Sequence, residues 1–268
     1  METILLNSSD LKNLISILRD MESAIVAYSG GVDSTFLLKA ATLSDIKTMA
    51  VTAVSPTMPE HDLKDAEDMA MAIGVRHMII RSSELESSDF TNNPPDRCYY
   101  CKDELFGKLG DIAMSEGYRY VADGSNLDDM DDWRPGRKAA EMHNVRSPLI
   151  EAGIDKQRIR ELSKMLGLRT WDKPSSPCLS SRFPYGVAIT IEALKQVEDA
   201  EKFLKSIGFN ELRVRHHKDT ARIELREGDI QKMADPGIRK SVTEKLRGLG
   251  YKYICLDLEG FRSGKLNG

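Results

Sequence analysis

YSGGVDST, Tyr28–Thr35, follows the short apolar run Ala24-Ile25-Val26-Ala27 and precedes Phe36-Leu37-Leu38-Lys39-Ala40. That order predicts a buried strand, a glycine turn and a helix. Gly30 and Gly31 let the chain turn sharply and keep side chains out of the way of an approaching phosphate. Ser29, Ser34 and Thr35 add hydroxyls, and the start of the helix offers unpaired N–H groups with a partial positive charge. No lysine follows the glycines in the GxxxxGK[ST] pattern, so the loop is not of the Walker A type. The stretch reads as an anion site.

Strand and helix patterns alternate on both sides of it. Leu11, Leu14, Ile15 and Leu18 have helical spacing, with Ser8, Ser9 or Asp10 placed to cap the start. Strands are expected at Thr48–Val54, Val75–Arg81 and Tyr118–Ala122, and helices over 34–44, 59–73, 102–115 and 155–166. The alternation predicts an α/β fold with a doubly wound, mostly parallel sheet. Beyond Trp171 the pattern changes. A helix over 190–207, short strands at 212–216 and 221–225, a helix over 237–249 and a strand at 251–256 predict a smaller α+β domain. The expected boundary gives domains 1–170 and 171–268.

With 41% hydrophobic and 30% charged residues, the 268-residue chain can bury a sizeable core. No apolar run approaches the roughly 20 residues that span a bilayer. Met1-Glu2-Thr3-Ile4 lacks the layout of a signal peptide, so the cytoplasm is the expected compartment. The net charge of -4 argues against a broad nucleic-acid surface.

The four cysteines are not expected to form structural disulfides in a reducing compartment. Cys98 and Cys101 form a C-x-x-C pair, and Cys178 lies between Lys173 and Arg182, which favour its thiolate. Half of a zinc site, a redox disulfide or three ligands of an iron–sulfur cluster all remain open for these thiols. Cys255, inside Tyr-Ile-Cys-Leu, is expected in the core. Arg213 and Arg215, two apart on one strand, face the same side and suit a phosphate or carboxylate, and Arg222 is placed to join them. His61, His77, His143, His216 and His217 are left outside the site, and the acidic run Asp128–Asp132 reads equally as a magnesium ligand or a solvated loop.

SGGVDS resembles the pyrophosphate loop, SGGxDS, of the PP-loop ATP pyrophosphatase superfamily. The stretches NPPDRCYYCKDELF, DGSNLDDMDDWRPGRKAAEMHNVRSPL, KPSSPCLSSRFPYG, VRHHKDTARIEL and LDLEGFRSG extend the likeness across almost the whole chain. Together they resemble the LarE family of ATP-dependent sulfur transferases. The resemblance implies an adenine nucleotide alpha hydrolase-like fold and sulfur insertion for the nickel-pincer nucleotide. Its substrate would be pyridinium-3,5-biscarboxylate mononucleotide.

In that likeness Ser29, Gly30, Gly31, Asp33 and Ser34 hold the phosphates of ATP with Mg²⁺. Ala53 and Gly124 lie by the adenosine, and Lys173 holds pyrophosphate. Arg182, Arg213 and Arg215 meet the substrate, and Cys178 donates sulfur. Cys178 does so by sacrifice to dehydroalanine, or with Cys98 and Cys101 as ligands of a 4Fe-4S cluster, the route the three thiols favour. A homo-oligomer is implied, with no nucleic-acid or membrane partner. A PP-loop tRNA thiolase is the competing reading, and would need a basic RNA surface that this chain does not announce.

Overall fold

A computed structural model of the chain describes residues 8–130 and 134–262. Two compact units emerge. One runs to Glu84 and resumes over Asp96–Ser176; the other takes Leu85–Pro95 and the chain from Pro177. The first unit therefore extends past residue 170, because contacts within it hold the following segment. Arg160 donates from Nη1 to the Trp171 carbonyl at 2.8 Å and from Nη2 to the Lys173 carbonyl at 2.9 Å. Leu85–Pro95 joins the second unit for a similar reason. Asn93 Nδ2 donates to the carbonyls of Phe183, Pro184 and Val187, and the Ile189 N–H donates to the Thr91 carbonyl.

The first unit is built from α1 (Ser9–Met21), β1 (Ser23–Ala27), α2 (Val32–Leu43), β2 (Lys47–Val54), α3 (Glu60–Ile73) and β3 (Arg76–Arg81). It continues with α4 (Arg97–Glu116), β4 (Tyr120–Ala122), α5 (Gly136–Met142) and α6 (Lys156–Met165). The sheet order is β3-β2-β1-β4, and every pairing is parallel. Side chains alternate across it as the pleat requires. Ala24, Val26, Ala50 and Ala122 pack with Leu14, Leu18, Phe36, Leu37, Met69, Ile159 and Leu162 of α1, α2, α3 and α6. Ile25, Met49, Val51 and Val121 face Phe106, Leu109 and Ala139 of α4 and α5. The sheet is thus covered on both faces, which is why its strands are apolar runs. Successive strands step from β1 to β2 to β3 on one side, while β4 pairs on the other. The loop after β1 opens at this switch point, where ligands of such sheets collect.

In the second unit α7 (Ile191–Ser206) and α8 (Pro236–Gly248) accompany a sheet of order β5-β6-β7, from Leu212–His217, Thr220–Leu225 and Tyr253–Leu256. β5 and β6 are antiparallel, and β6 and β7 are parallel. Leu204, Phe209, Val214, Ile223, Leu246 and Tyr251 form its core. The architecture is α/β with a four-stranded parallel sheet between helices and a small mixed sheet near the C-terminus, as the PP-loop fold has it.

Two sequence expectations are corrected. α4 begins at Arg97, five residues before the expected Lys102, so Cys98 and Cys101 lie inside its first two turns. Cys255 is exposed, not buried. β7 is an edge strand whose Tyr253 and Cys255 alternate outward while Ile254 and Leu256 turn in.

Candidate functional site

Gly30 carries φ +68°, a left-handed conformation that suits glycine. A Cβ there would lie 2.8 Å from the Ala66 Cβ of α3, so the loop presses against that helix. Ser29 and Ser34 close the loop on itself. Their hydroxyls are 3.1 Å apart, and the Ser29 N–H donates to Ser34 Oγ at 3.3 Å. The Gly31 N–H points at Ser29 Oγ at 3.4 Å, and the Thr35 N–H donates to the Gly31 carbonyl at 3.0 Å to start α2. Gly124 follows β4. Its bare Cα lies against the first turn of α2, and the turn that carries it is fixed by Asp123, which accepts from Ser147 Oγ, Ser125 N and Ser125 Oγ.

In front of the loop is a cavity of about 190 Å³ lined by Ser29, Gly31, Val32, Asp33, Asp62, Lys156 and Lys173–Ser176. Two lysines and two aspartates face one another across it. Lys156 Nζ pairs with Asp33 Oδ2. Lys173 Nζ lies 3.1 Å from Asp62 Oδ1 and 2.9 Å from Asp65 Oδ2, and Ser176 Oγ donates to Asp62 Oδ2 at 2.7 Å. Burial alone would depress the Lys173 ammonium, but the Asp65 and Asp62 carboxylates outweigh it and hold the group above its ordinary value. Asp33 Oδ1 is buried without a hydrogen-bond partner. An oxygen so placed suits a hard cation such as Mg²⁺. Of the expected nucleotide residues, Ser29, Gly31, Asp33 and Lys173 line the cavity, and Gly30, Ser34 and Gly124 shape the loop beside it. Ala53 is half-buried on β2, opposite Ile80 and outside the lining.

Cys98 is exposed and Cys101 half-buried on α4. Helical spacing of three puts both thiols on one face. No disulfide joins them, and among the described residues no three His, Cys, Asp or Glu side chains come together to hold a metal ion. Asp131 and Asp132 of the acidic run lie outside the described residues.

Cys178 belongs to the second unit, exposed, directly before the single 3₁₀ turn Leu179–Arg182. Arg182 builds the loop that presents it. Its guanidinium, almost fully buried, pairs with Glu201 through two 2.9 Å bonds and donates from Nη1 to the carbonyls of Pro177 and Cys178. Arg215 makes the same kind of contact with fully buried Glu224 and donates to the Ser181 carbonyl at 2.8 Å, while Arg222 reaches the other oxygen of Glu224 at 3.0 Å. Arg213 stacks over the Phe261 ring, 4.9 Å to its centre. Burial, then the nearby Arg182, pulls the Arg213 guanidinium down to about 10. An anion placed there would restore it. His216 is buried between Phe183 and Tyr251.

No family model matches the chain. A relative does: the pyridinium-3,5-bisthiocarboxylic acid mononucleotide synthase of Lactiplantibacillus plantarum is 40% identical over 95% of this chain and 92% of its own. The chain belongs to the LarE family. Two uncharacterised proteins are also similar, one of Synechocystis sp. at 44% identity over 97% of both chains, and one of Methanocaldococcus jannaschii at 33% over 94% of this chain and 98% of its own.

Within this LarE-family chain, four residues of the two sites had no sequence signal. Asp62, Lys156, Glu201 and Glu224 read as ordinary helix or strand charges. Their roles arise from contacts such as Lys156 with Asp33, which are 123 residues apart in the chain.

Proposed function

We propose that the chain is an ATP-dependent sulfur transferase that converts a carboxylate of pyridinium-3,5-biscarboxylate mononucleotide to a thiocarboxylate. The observation that carries this is the cavity at the SGGVDS loop, where two lysines, two aspartates and the start of α2 meet. Such a site suits a polyphosphate with its cation. A carboxylate is a poor electrophile. Attack of its oxygen on the α-phosphorus of ATP expels pyrophosphate and gives an acyl-adenylate. The Ser29–Ser34 loop, Lys156 and Lys173 hold the phosphates as charge moves to the leaving pyrophosphate. Asp33 is the residue that would hold Mg²⁺.

The product named for the Lactiplantibacillus relative is a bisthiocarboxylate, so sulfur must follow the activation. Exposed Cys178 is the donor. Its thiolate adds to the acyl carbon, AMP leaves with the bonding pair, and a thioester forms. Loss of the Cys178 α-proton then breaks the Cβ–S bond, leaving dehydroalanine in the chain and sulfur on the product. By residue type the thiols of Cys98, Cys101 and Cys178 suit three ligands of a 4Fe-4S cluster, although among the described residues no such group comes together. A cluster held by them would supply sulfide from its fourth iron. Either route keeps the same adenylation. Arg213 and Arg215 are the substrate's anion contacts in this reading, and Arg182 shapes the Cys178 loop. The acidic net charge supports a small-molecule substrate acted on without nucleic acid. The family resemblance implies a homo-oligomer, and the cytoplasm remains the expected compartment.

Iron and acid-labile sulfide per chain, measured on protein purified without oxygen and on Cys98→Ala, separate the two routes. Iron lost in the variant supports the cluster. Iron-free protein whose Cys178 becomes dehydroalanine after one turnover supports sacrifice.

A further inference from the structure

The chain from Trp171 to Ser176 has no helix or strand of its own, yet side chains of α3 and α6 pin it within the first unit. Arg160 of α6 donates from its two terminal nitrogens to the carbonyls of Trp171 and Lys173, at 2.8 and 2.9 Å. Lys164, one turn on along the same face of α6, sets its ammonium over the Trp171 ring, 4.3 Å from the centre. Asp62 of α3 holds the far end, meeting Lys173 Nζ at 3.1 Å and accepting from the Ser176 hydroxyl at 2.7 Å. Ile159 and Leu162 bury the other side of α6 in the core, so the helix is a fixed base for these contacts.

Burial does not account for this ordering. Pro174, Ser175 and Ser176 are exposed, and fixing irregular backbone costs conformational entropy that exposed residues recover little of through burial. Pro174 and Pro177 remove further freedom, since each locks its own φ. What the segment carries explains it better. Cys178 follows Ser176 by two residues, so chain length alone keeps its Cα within about 7 Å of Ser176. Ser176 in turn lines the cavity at the glycine loop. Pinning the segment fixes the point from which the thiol is hung.

We infer that Arg160 is a positioning residue for the sulfur-transfer step, acting through the two carbonyls it clamps to set where the Cys178 thiol can reach. Arg160 is outside the cavity lining, so its effect falls on transfer and not on activation of the carboxylate. An acyl-adenylate is open to water as well as to a thiolate. Water that attacks first returns the carboxylate and AMP, and a nucleophile misplaced by about 1 Å is easily outpaced. The inference rests on the sulfur-transferase reading above and adds to it the residue that aligns its second step.

Rapid quench of the full chain and of Arg160→Met with MgATP and pyridinium-3,5-biscarboxylate mononucleotide tests it, with pyrophosphate and thiocarboxylate counted in the first turnover. The parent should form the two in equal amounts. The variant should release pyrophosphate at a rate within about twofold of its parent, while thiocarboxylate falls about tenfold or more. That ratio does not depend on what fraction of the variant is folded. Lys164→Met, which frees the Trp171 ring, should move it the same way and replaces Arg160→Met if that variant does not fold. Equal amounts in the folded variant, or pyrophosphate and thiocarboxylate lost in equal proportion, overturn the role of Arg160 and leave the sulfur-transferase reading intact. A parent chain that releases no pyrophosphate, or makes no thiocarboxylate, overturns both.

Discussion

Gly124 lies so close to Ser34 that a Cβ at residue 124 would sit 2.9 Å from the Ser34 backbone nitrogen and 3.1 Å from its Cα. The turn after β4 and the first turn of α2 are in backbone contact, and neither has a flexible side chain to give way. Gly124→Ala therefore forces the loop to move. The expected cost is about 1–3 kcal/mol of stability, typical of overpacking, with weaker nucleotide binding. Denaturant unfolding and MgATP affinity of the variant check both. A variant as stable as its parent contradicts the close packing.

Lys173 carries a pH dependence. Its ammonium is held above the ordinary value of 10.5 by Asp65 and Asp62 against the opposing effect of burial. The folded state therefore binds this proton more tightly than the unfolded chain does. That contribution is complete below the unfolded value and disappears as pH rises through the folded one. Lys173→Met should lose stability relative to its parent at neutral pH, and the difference should shrink only at strongly alkaline pH. Unfolding measured across that range reads the sign directly.

Arg182 and Glu201 form a buried, two-point ion pair beneath the loop that ends at Cys178. Arg182→Met leaves the Glu201 carboxylate, among the described residues, with the Val214 N–H at 3.0 Å as its remaining hydrogen-bond donor. Removing one partner of such a pair costs about 3–5 kcal/mol. Thermal unfolding should show that loss, and Cys178 should become more reactive toward a maleimide as its carbonyl tether to Arg182 is lost.

Cys255 faces outward from an edge strand with Tyr253 beside it. Alkylation should label it readily, and Cys255→Ser should leave sulfur transfer unchanged. Loss of transfer in that variant would place Cys255 in the chemistry and contradict the assignment of the donor to Cys178.

The core of the fold was legible because its signals are local. Ala24–Ala27, the glycines and Phe36–Ala40 are neighbours in the chain, and a buried parallel strand needs only an apolar run. The start of α4 was less legible. Arg97, Cys98 and Lys102 show no apolar period, and the helix begins where Asp96 follows two prolines, a cue that composition alone leaves as loop. Cys255 misled for a different reason. An edge strand and a central strand share the same residue types, and only the pairing order tells which face of β7 is covered. Asp62 and Lys156 were invisible because a charge on an amphipathic helix reads as solvated until tertiary packing turns it toward a partner.

Incubation of the purified chain with MgATP and pyridinium-3,5-biscarboxylate mononucleotide, followed by mass spectrometry of small molecules and protein, tests the central claim most directly. The account predicts AMP and pyrophosphate in equal amounts, together with a product in which sulfur has replaced a carboxylate oxygen, and none of these from Cys178→Ala beyond the adenylation step. Sulfur-free substrate recovered unchanged, with ATP intact or cleaved to ADP and phosphate, would contradict it.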